Sequence, residues 1–166
     1  MSEIITGVIS GLVASAVFYI FLLLVRPKIR VSEKVAIEGE TLIRIKVVNR
    51  TRCILTNVKY ALSFCRRSGE GVCIVEEIQP LKTPLEVMSK YSCWDKNAEY
   101  AIRFSYKIPS HIRMSEGWLE FSIHANHGFS NTSACVKKRY ESIDVMPGIF
   151  ETGTSMKILA VPGQNS

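Results

Sequence analysis

The hydrophobic pattern of the chain changes abruptly near residue 26. Ile4 to Val25 is a run of 22 residues without an acidic, basic or histidine side chain. At about 1.5 Å of rise per residue, this run makes a helix of roughly 33 Å, which matches the hydrocarbon thickness of a bilayer. Its polar side chains are too few to form the polar face of a soluble helix. The pattern therefore predicts a transmembrane helix over 4–25 rather than a buried core helix.

The flanks of this run indicate whether it is retained and which way it faces. A secretory signal carries cations before its apolar part and a small-residue cleavage site after it. Here Glu3 precedes the run and the cations follow it, so we expect no cleavage. Arg26, Lys28 and Arg30 form a predicted group of membrane-surface cations, and such cations tend to stay in the cytoplasm. We therefore expect a single-pass protein with its N-terminus outside and its C-terminal domain in the cytoplasm.

Beyond residue 28 the hydrophobic period becomes two. Hydrophobic and polar residues alternate in 41–49, 56–65, 99–108 and 118–125, as in half-buried antiparallel strands. Weaker strands are predicted near 28–37, 72–79, 84–90 and 132–145, separated by turn residues. A total of about seven or eight strands is typical of an antiparallel β-sandwich or a small barrel. The sequence leaves the choice between sandwich and barrel open.

These patterns predict an all-β soluble domain behind one N-terminal transmembrane α-helix. We place the helix and its junction at 1–27, a cytosolic β-domain at 28–146 and a loosely ordered C-terminal tail at 147–166. The tail is predicted because it contains Gly148, Gly153 and Pro162 close to a chain terminus, where order is usually low. We expect it to hold one loosely attached strand.

Charge and cysteine content narrow the expected partners. The net charge is +6, and Glu3 is the only charged residue before Arg26. A basic domain beside an anionic leaflet adheres to lipid or attracts nucleotides. We expect the lipid bilayer as a partner and do not expect nucleic acid. The five cysteines are an odd number at irregular spacings, which favours reduced thiols over a disulfide framework.

The sequence contains no established catalytic motif. It has no nucleophile elbow, phosphate-binding loop, zinc-protease helix or pair of Cys-x-x-Cys motifs. The nearest metal pattern is His124 and His127 followed by Cys135, but the two histidines are expected to point in different directions from one strand. We therefore expect no metal, no cofactor and no enzymatic activity. A membrane-bound enzyme that uses a cysteine or a histidine remains an alternative.

Basic residues lie beside aromatic residues in three parts of the chain. Arginine offers a planar fork to phosphate, while tyrosine and tryptophan offer stacking surfaces to a base. This combination indicates a site for an anionic, nucleotide-like ligand. The alternative, which we favour for any single residue, is that the aromatic rings fill the core and the cations face water. The predicted ligand-binding residues are Arg103, Tyr106, Lys107, Arg113, Trp118, Lys137 and Arg139.

A strip of small residues runs along the predicted span. Gly7, Gly11 and Ser15 are spaced four apart, so they lie on one face of a helix. Small residues at this spacing let a second helix approach closely, which predicts a homo-oligomer that packs inside the membrane. The alternative is that glycine is simply common in membrane helices. The span is then only an anchor.

An N-terminal membrane segment, the junction Pro27-Lys28-Ile29-Arg30 and a cytosolic all-β domain together resemble small bacterial membrane effectors of antiphage signalling. The resemblance implies that the β-domain binds a cyclic oligonucleotide. It also implies that ligand-driven assembly damages the inner membrane. It covers the whole layout, although that family usually has two spans and this chain has one. The alternative function is a membrane-tethered protein-interaction module, an adaptor with a protein partner and no small-molecule ligand.

Overall fold

The structure is a computed structural model that describes residues 2–67, 73–82, 85–92, 94 and 99–160. It has one N-terminal helix, α1 (Ser2–Leu24), followed by a mostly β domain whose sheets curl into a half-barrel. The prediction of an all-β domain behind one apolar helix is therefore confirmed. The strands are β1 (Ile29–Val31), β2 (Val35–Glu38), β3 (Leu42–Asn49), β4 (Leu55–Arg67), β5 (Cys73–Ile78), β6 (Ala101–Lys107), β7 (Trp118–His127), β8 (Ser133–Tyr140), β9 (Val145–Pro147), β10 (Ile149–Phe150) and β11 (Ile158–Leu159).

Helix α1 is long and apolar enough to cross a membrane. The part that meets this criterion is Glu3–Leu22, and none of it is buried against the β-domain. A soluble core helix would cover such a surface with protein. Ser10 and Ser15 donate their hydroxyl groups to the carbonyls of Gly7 and Gly11 at 3.0 and 2.9 Å. The two hydroxyl groups are thus hydrogen-bonded within the helix, which lowers the free-energy cost of placing these serines in lipid.

Two main sheets make up the β-domain. The first has the order β1, β3, β2, β9, with β6 also paired along β3, and the second has the order β5, β4, β7, β8. The short strands β10 and β11 form a separate hairpin. Among the described strands, every pairing is antiparallel except that of β2 with β9. That pair is parallel, and the chain enters β9 after leaving the second sheet at the end of β8.

Side chains that alternate along the central strands fill the core between the two sheets. Ile43, Ile45 and Val47 of β3 are fully buried, as are Leu119, Phe121 and Ile123 of β7. This is the face that the period-two pattern predicts. The four strongest strand predictions are accordingly confirmed as β3, β4, β6 and β7.

Two weaker strand predictions fail in part. The described residues of 84–90 form no strand, and only Met88 makes an isolated bridge, with Leu55. Met88 is fully buried, because this loop packs against the core. Its hydrophobic side chain therefore marks a buried loop and not a strand. The segment 28–37 divides into β1 and β2, because the chain turns after the buried Ser32.

The chain after Pro147 is packed on the domain rather than loosely ordered as far as residue 160. Phe150 is 2% exposed, and Met156 packs against the cluster of Val48 and Tyr100. The hairpin of β10 and β11 thereby covers part of the outer face of the first sheet. The β-domain extends past the predicted boundary at 146 because this hairpin buries apolar side chains of its own. Residues 161–166 lie outside the described part of the chain.

Candidate functional site

Three of the predicted ligand-binding residues lie together on the outer face of the second sheet. The Arg139 guanidinium lies 4.1 Å from the centre of the Trp118 ring and also pairs with Glu141 at 2.8 Å. Lys137 pairs with Glu120 at 3.4 Å. The tryptophan face therefore already carries a cation, and each positive charge has a carboxylate beside it. This arrangement is better suited to holding the sheet surface together than to binding an anion.

The prediction for Tyr106 is wrong. Its side chain is fully buried in the core, where its ring meets Phe121 edge to face. Burial raises the pKa of its phenol well above the ordinary value. The hydroxyl group finds no hydrogen-bond partner in the described part of the protein. Tyr106 points inward because it shares the core face of β6 with Phe104, two residues earlier.

Two further predicted residues are exposed cations at separate positions. Lys107 ends β6, and Arg113 precedes the short 3₁₀ turn Met114–Glu116. Neither is brought against the cluster of Trp118 and Arg139 by a described contact. The predicted set is therefore divided over the surface, and Arg103 has different neighbours.

Arg103 lines a groove that contains two cations absent from the sequence prediction. The groove has a volume of about 380 Å³. Arg103 lies directly opposite Lys46 in the register of β3 and β6. Lys82 joins them because Leu81 donates its backbone N–H to the Ser105 carbonyl at 2.9 Å, which holds the segment beside β6. We call this the basic groove; its described lining residues are Lys46, Lys82, Ala101, Ile102, Arg103, Thr152 and Gly153.

Lys46 forms the floor of the basic groove and anchors the C-terminal hairpin. It is 1% exposed, and its ammonium group donates to the carbonyls of Glu151 and Ser155 at 2.5 and 2.6 Å. Burial, followed by the positive charge of Arg103, lowers its pKa from 10.5 to about 8. An anion bound in the groove would offset both effects. The carboxylate of Glu151 acts in the opposite direction and raises the pKa of Lys46, but it does not outweigh burial and Arg103.

A small apolar recess adjoins the basic groove and shares Lys82, Ile102 and Arg103 with it. The recess has a volume of about 90 Å³. Its aromatic wall is Tyr60 and Phe104, whose ring centres are 4.2 Å apart. Leu85 adds an aliphatic side. Together the groove and the recess offer cations for phosphate beside an apolar surface for the edge of a ring.

A second basic pocket lies where α1 meets the β-domain. It has a volume of about 610 Å³, and two of the predicted membrane-surface cations, Arg26 and Lys28, line it. The third, Arg30, is exposed on β1. We call this the junction pocket; its described lining residues are Val25, Arg26, Lys28, Arg50, Thr51, Arg52, Cys53, His127 and Phe129. Sequence reasoning missed Arg50 and Arg52, because only the pairing of β1 with β3 brings them beside Lys28.

The predicted packing strip of α1 is open on its surface. A methyl group added at Gly7 or Gly11 would meet nothing within 4 Å in the described chain. Ser15 is exposed in the next turn. The strip is therefore available to another helix, which is the condition that the predicted self-association requires.

The metal and thiol predictions concern the second sheet and its surroundings. On β7, His127 is buried whereas His124 lies on the outer face opposite Cys135, so the two histidines do point in different directions. In the described part of the chain, no group of three His, Cys, Asp or Glu side chains is placed to hold a metal ion. Cys53 and Cys135 are free thiols.

No known protein family matches the chain, and no curated protein matches it either.

Proposed function

We propose that the protein is a membrane-anchored sensor whose cytosolic β-domain binds an anionic, nucleotide-like ligand in the basic groove. One observation carries this proposal: Lys46, Lys82 and Arg103 converge on a groove with no carboxylate among its described lining residues. The aromatic recess beside the groove favours a ligand with a ring next to its phosphate. The ligand class is therefore a nucleotide rather than a simple inorganic anion.

The proposed role is that of an effector in bacterial defence, which oligomerises on ligand binding and perturbs the inner membrane. The defence role comes from the resemblance in layout. The physical support is the open strip at Gly7 and Gly11, which allows two spans to pack. A ligand that contacts the clustered state better than the single chain would favour that state. Binding outside the membrane would then be coupled to association inside it.

A thermal-shift experiment on the full chain in detergent micelles tests the ligand site. The probes are a panel of cyclic dinucleotides and cyclic trinucleotides, with linear mononucleotides for comparison. We expect one member to raise the melting temperature by several degrees, because a ligand that binds only the folded state stabilises it. Arg103→Gln should weaken that binding roughly tenfold or more, since it removes a charged hydrogen bond to phosphate.

Lys107→Gln is the matched control for Arg103→Gln. Both residues lie on β6 and both substitutions remove one positive charge, but Lys107 is not among the groove-lining residues. The control should bind the ligand like the original chain. An equal stabilisation of Arg103→Gln and the original chain would exclude the basic groove as the site. No stabilisation by any member of a broad panel would favour the adaptor function instead.

The adaptor function also has an observation in its favour. Strand β5 is an edge of the second sheet, and Val75 on it is 61% exposed. An edge strand with unpaired backbone groups accepts an extended segment of a partner protein. This candidate needs no ligand in the basic groove. It predicts binding to a peptide that Arg103→Gln leaves unchanged.

A further inference from the structure

The junction pocket is tied to the last turn of α1 through the turn between β7 and β8. The carbonyl of Val25 accepts hydrogen bonds from the hydroxyl groups of Thr132 and Ser130 at 3.3 and 3.5 Å. The last carbonyls of a helix lack partners within it, so these hydroxyl groups cap the helix. In the same turn, the backbone N–H of Ser130 donates to Nδ1 of His127 at 3.2 Å. The pocket is thereby held beside the end of the candidate span.

Four cations line the junction pocket without a counter-charge. Arg26, Lys28, Arg50 and Arg52 are all exposed, and none forms an ion pair with a carboxylate in the described ranges. The described lining residues include no acidic side chain. Like charges that line one pocket repel one another, and an anion bound between them lowers this repulsion. The pocket is therefore an anion site by charge.

Hydrogen bonds hold the backbone that carries Lys28, Arg50 and Arg52. Arg50 donates its N–H to the Lys28 carbonyl at 2.7 Å, and Lys28 donates its own N–H to the Thr51 hydroxyl at 2.8 Å. The buried Asn49 accepts from the Thr51 N–H at 2.8 Å and donates to the Cys53 carbonyl at 3.0 Å. The loop that carries Arg50 and Arg52 is thus ordered before a ligand binds, which lowers the entropic cost of binding.

Exposed apolar side chains lie on the same side of the β-domain as the pocket. Phe129 lines the pocket and is 77% exposed, and Ile54 is 43% exposed. The two are neighbours, because Gly128 donates its N–H to the Ile54 carbonyl at 2.9 Å. Large apolar side chains beside cations are typical of a surface that lies in the headgroup region of a membrane. An aqueous phosphate would leave these apolar side chains in water.

We propose that the junction pocket binds the phosphodiester group of an acidic phospholipid. The cations contact the phosphate oxygens, and Phe129 and Ile54 lie against the first carbons of the acyl chains. A volume of about 610 Å³ accommodates one headgroup. Lipid binding at this site holds the β-domain against the bilayer surface and restricts its orientation relative to α1. The inference rests on α1 lying in the bilayer, as in the proposed function, but not on any ligand in the basic groove.

Lipid retention by the full chain tests this site. The protein is reconstituted in nanodiscs that contain phosphatidylglycerol and phosphatidylcholine, released from them, and examined by native mass spectrometry. We expect one phosphatidylglycerol to be retained preferentially by the original chain. Arg50→Gln with Arg52→Gln should reduce this retention roughly tenfold, because each cation near a lipid surface contributes to anion attraction. Phe129→Ser should reduce it in a chain whose charge is unchanged.

The control removes the same charge at the other end of the β-domain. Arg67→Gln with Lys107→Gln alters exposed residues at the ends of β4 and β6 that point away from the junction. This variant should retain the lipid, and so should Arg103→Gln, whether or not the groove binds a nucleotide. Equal retention by the Arg50/Arg52 variant and its control would overturn the site. Displacement of the lipid by millimolar inorganic phosphate would overturn the lipid assignment and identify a soluble phosphate as the ligand.

Discussion

Two buried tyrosines differ in what their hydroxyl groups contact. The Tyr140 hydroxyl donates to the Ser32 carbonyl at 2.7 Å, whereas the Tyr106 hydroxyl has no partner among the described residues. Both side chains are fully buried. A buried polar group without a partner costs free energy, and a satisfied one contributes about 1 kcal/mol. We therefore expect Tyr106→Phe to raise the free energy of unfolding by about 1 kcal/mol and Tyr140→Phe to lower it by about the same amount.

Urea unfolding of the full chain in micelles, followed by circular dichroism of the β-domain, measures both changes. The substitution is the same at both positions, so each variant is the control for the other. A loss of stability of equal size in the two variants would show that the Tyr106 hydroxyl is paired. Tyr106→Phe should also leave ligand binding in the basic groove unchanged, because the residue lies in the core.

Lys46 gives the stability of the β-domain a specific pH dependence. Its pKa is about 8 in the folded chain, against 10.5 for an ordinary lysine. Between these pH values the folded state has released a proton that the unfolded state still holds. Unfolding therefore takes up a proton, and raising the pH through this window increases the free energy of unfolding. The gain is at most about 1.4 kcal/mol per pH unit for one group.

Comparison with Lys46→Met isolates this contribution, because all other titrating groups are shared. We expect the free energy of unfolding of the original chain to rise relative to that of Lys46→Met between about pH 8 and pH 10. Urea unfolding of both proteins at a series of pH values measures the difference. A difference that stays constant over this range would mean that Lys46 keeps an ordinary pKa in the folded state.

At the scale of elements, the sequence predicts best those strands that have one face in the core. β7 buries every second residue along its whole length, and β3, β4 and β6 do so over part of theirs, so their hydrophobic pattern carries the strand period. The segment 84–90 misled the prediction, because a buried loop residue such as Met88 looks like a strand residue in sequence. The sequence does not predict the order of the C-terminal hairpin, because its glycines suggest disorder. In the structure, Gly148 and Gly153 instead mark the turns between β9, β10 and β11.

The basic groove could be predicted only in part from the sequence. The sequence indicates Arg103 because it lies in a predicted strand that also carries Tyr106. Its partners come from elsewhere: Lys46 from the opposite strand, and Lys82 from a segment that crosses beside β6. Strand register and chain crossings are set by tertiary packing, which one sequence does not display. For the same reason, the sequence does not predict a role for Arg50 and Arg52. They become neighbours of Lys28 only when β1 pairs with β3.

At the scale of the whole molecule, two groups of cations line pockets that differ in their surroundings. The basic groove is on the outer face of the first sheet, beside the C-terminal hairpin. The junction pocket is at the end of α1 and carries exposed apolar side chains. In our proposal the basic groove binds a soluble ligand, and the junction pocket holds the β-domain at the membrane. In the same proposal, the step that joins ligand binding to membrane damage takes place in α1.

The open strip of α1 makes this step testable in cells. Gly7→Leu with Gly11→Leu fills the strip, so two spans can no longer approach closely, and we expect toxicity on ligand production to be lost. Ala16→Leu is the control, because it adds bulk to the exposed opposite face of the same helix. Growth of expressing cells and cross-linking of the span measure the two effects. Full toxicity of a well-expressed double variant, with unchanged cross-linking, would reduce α1 to an anchor and place the damaging step outside the membrane.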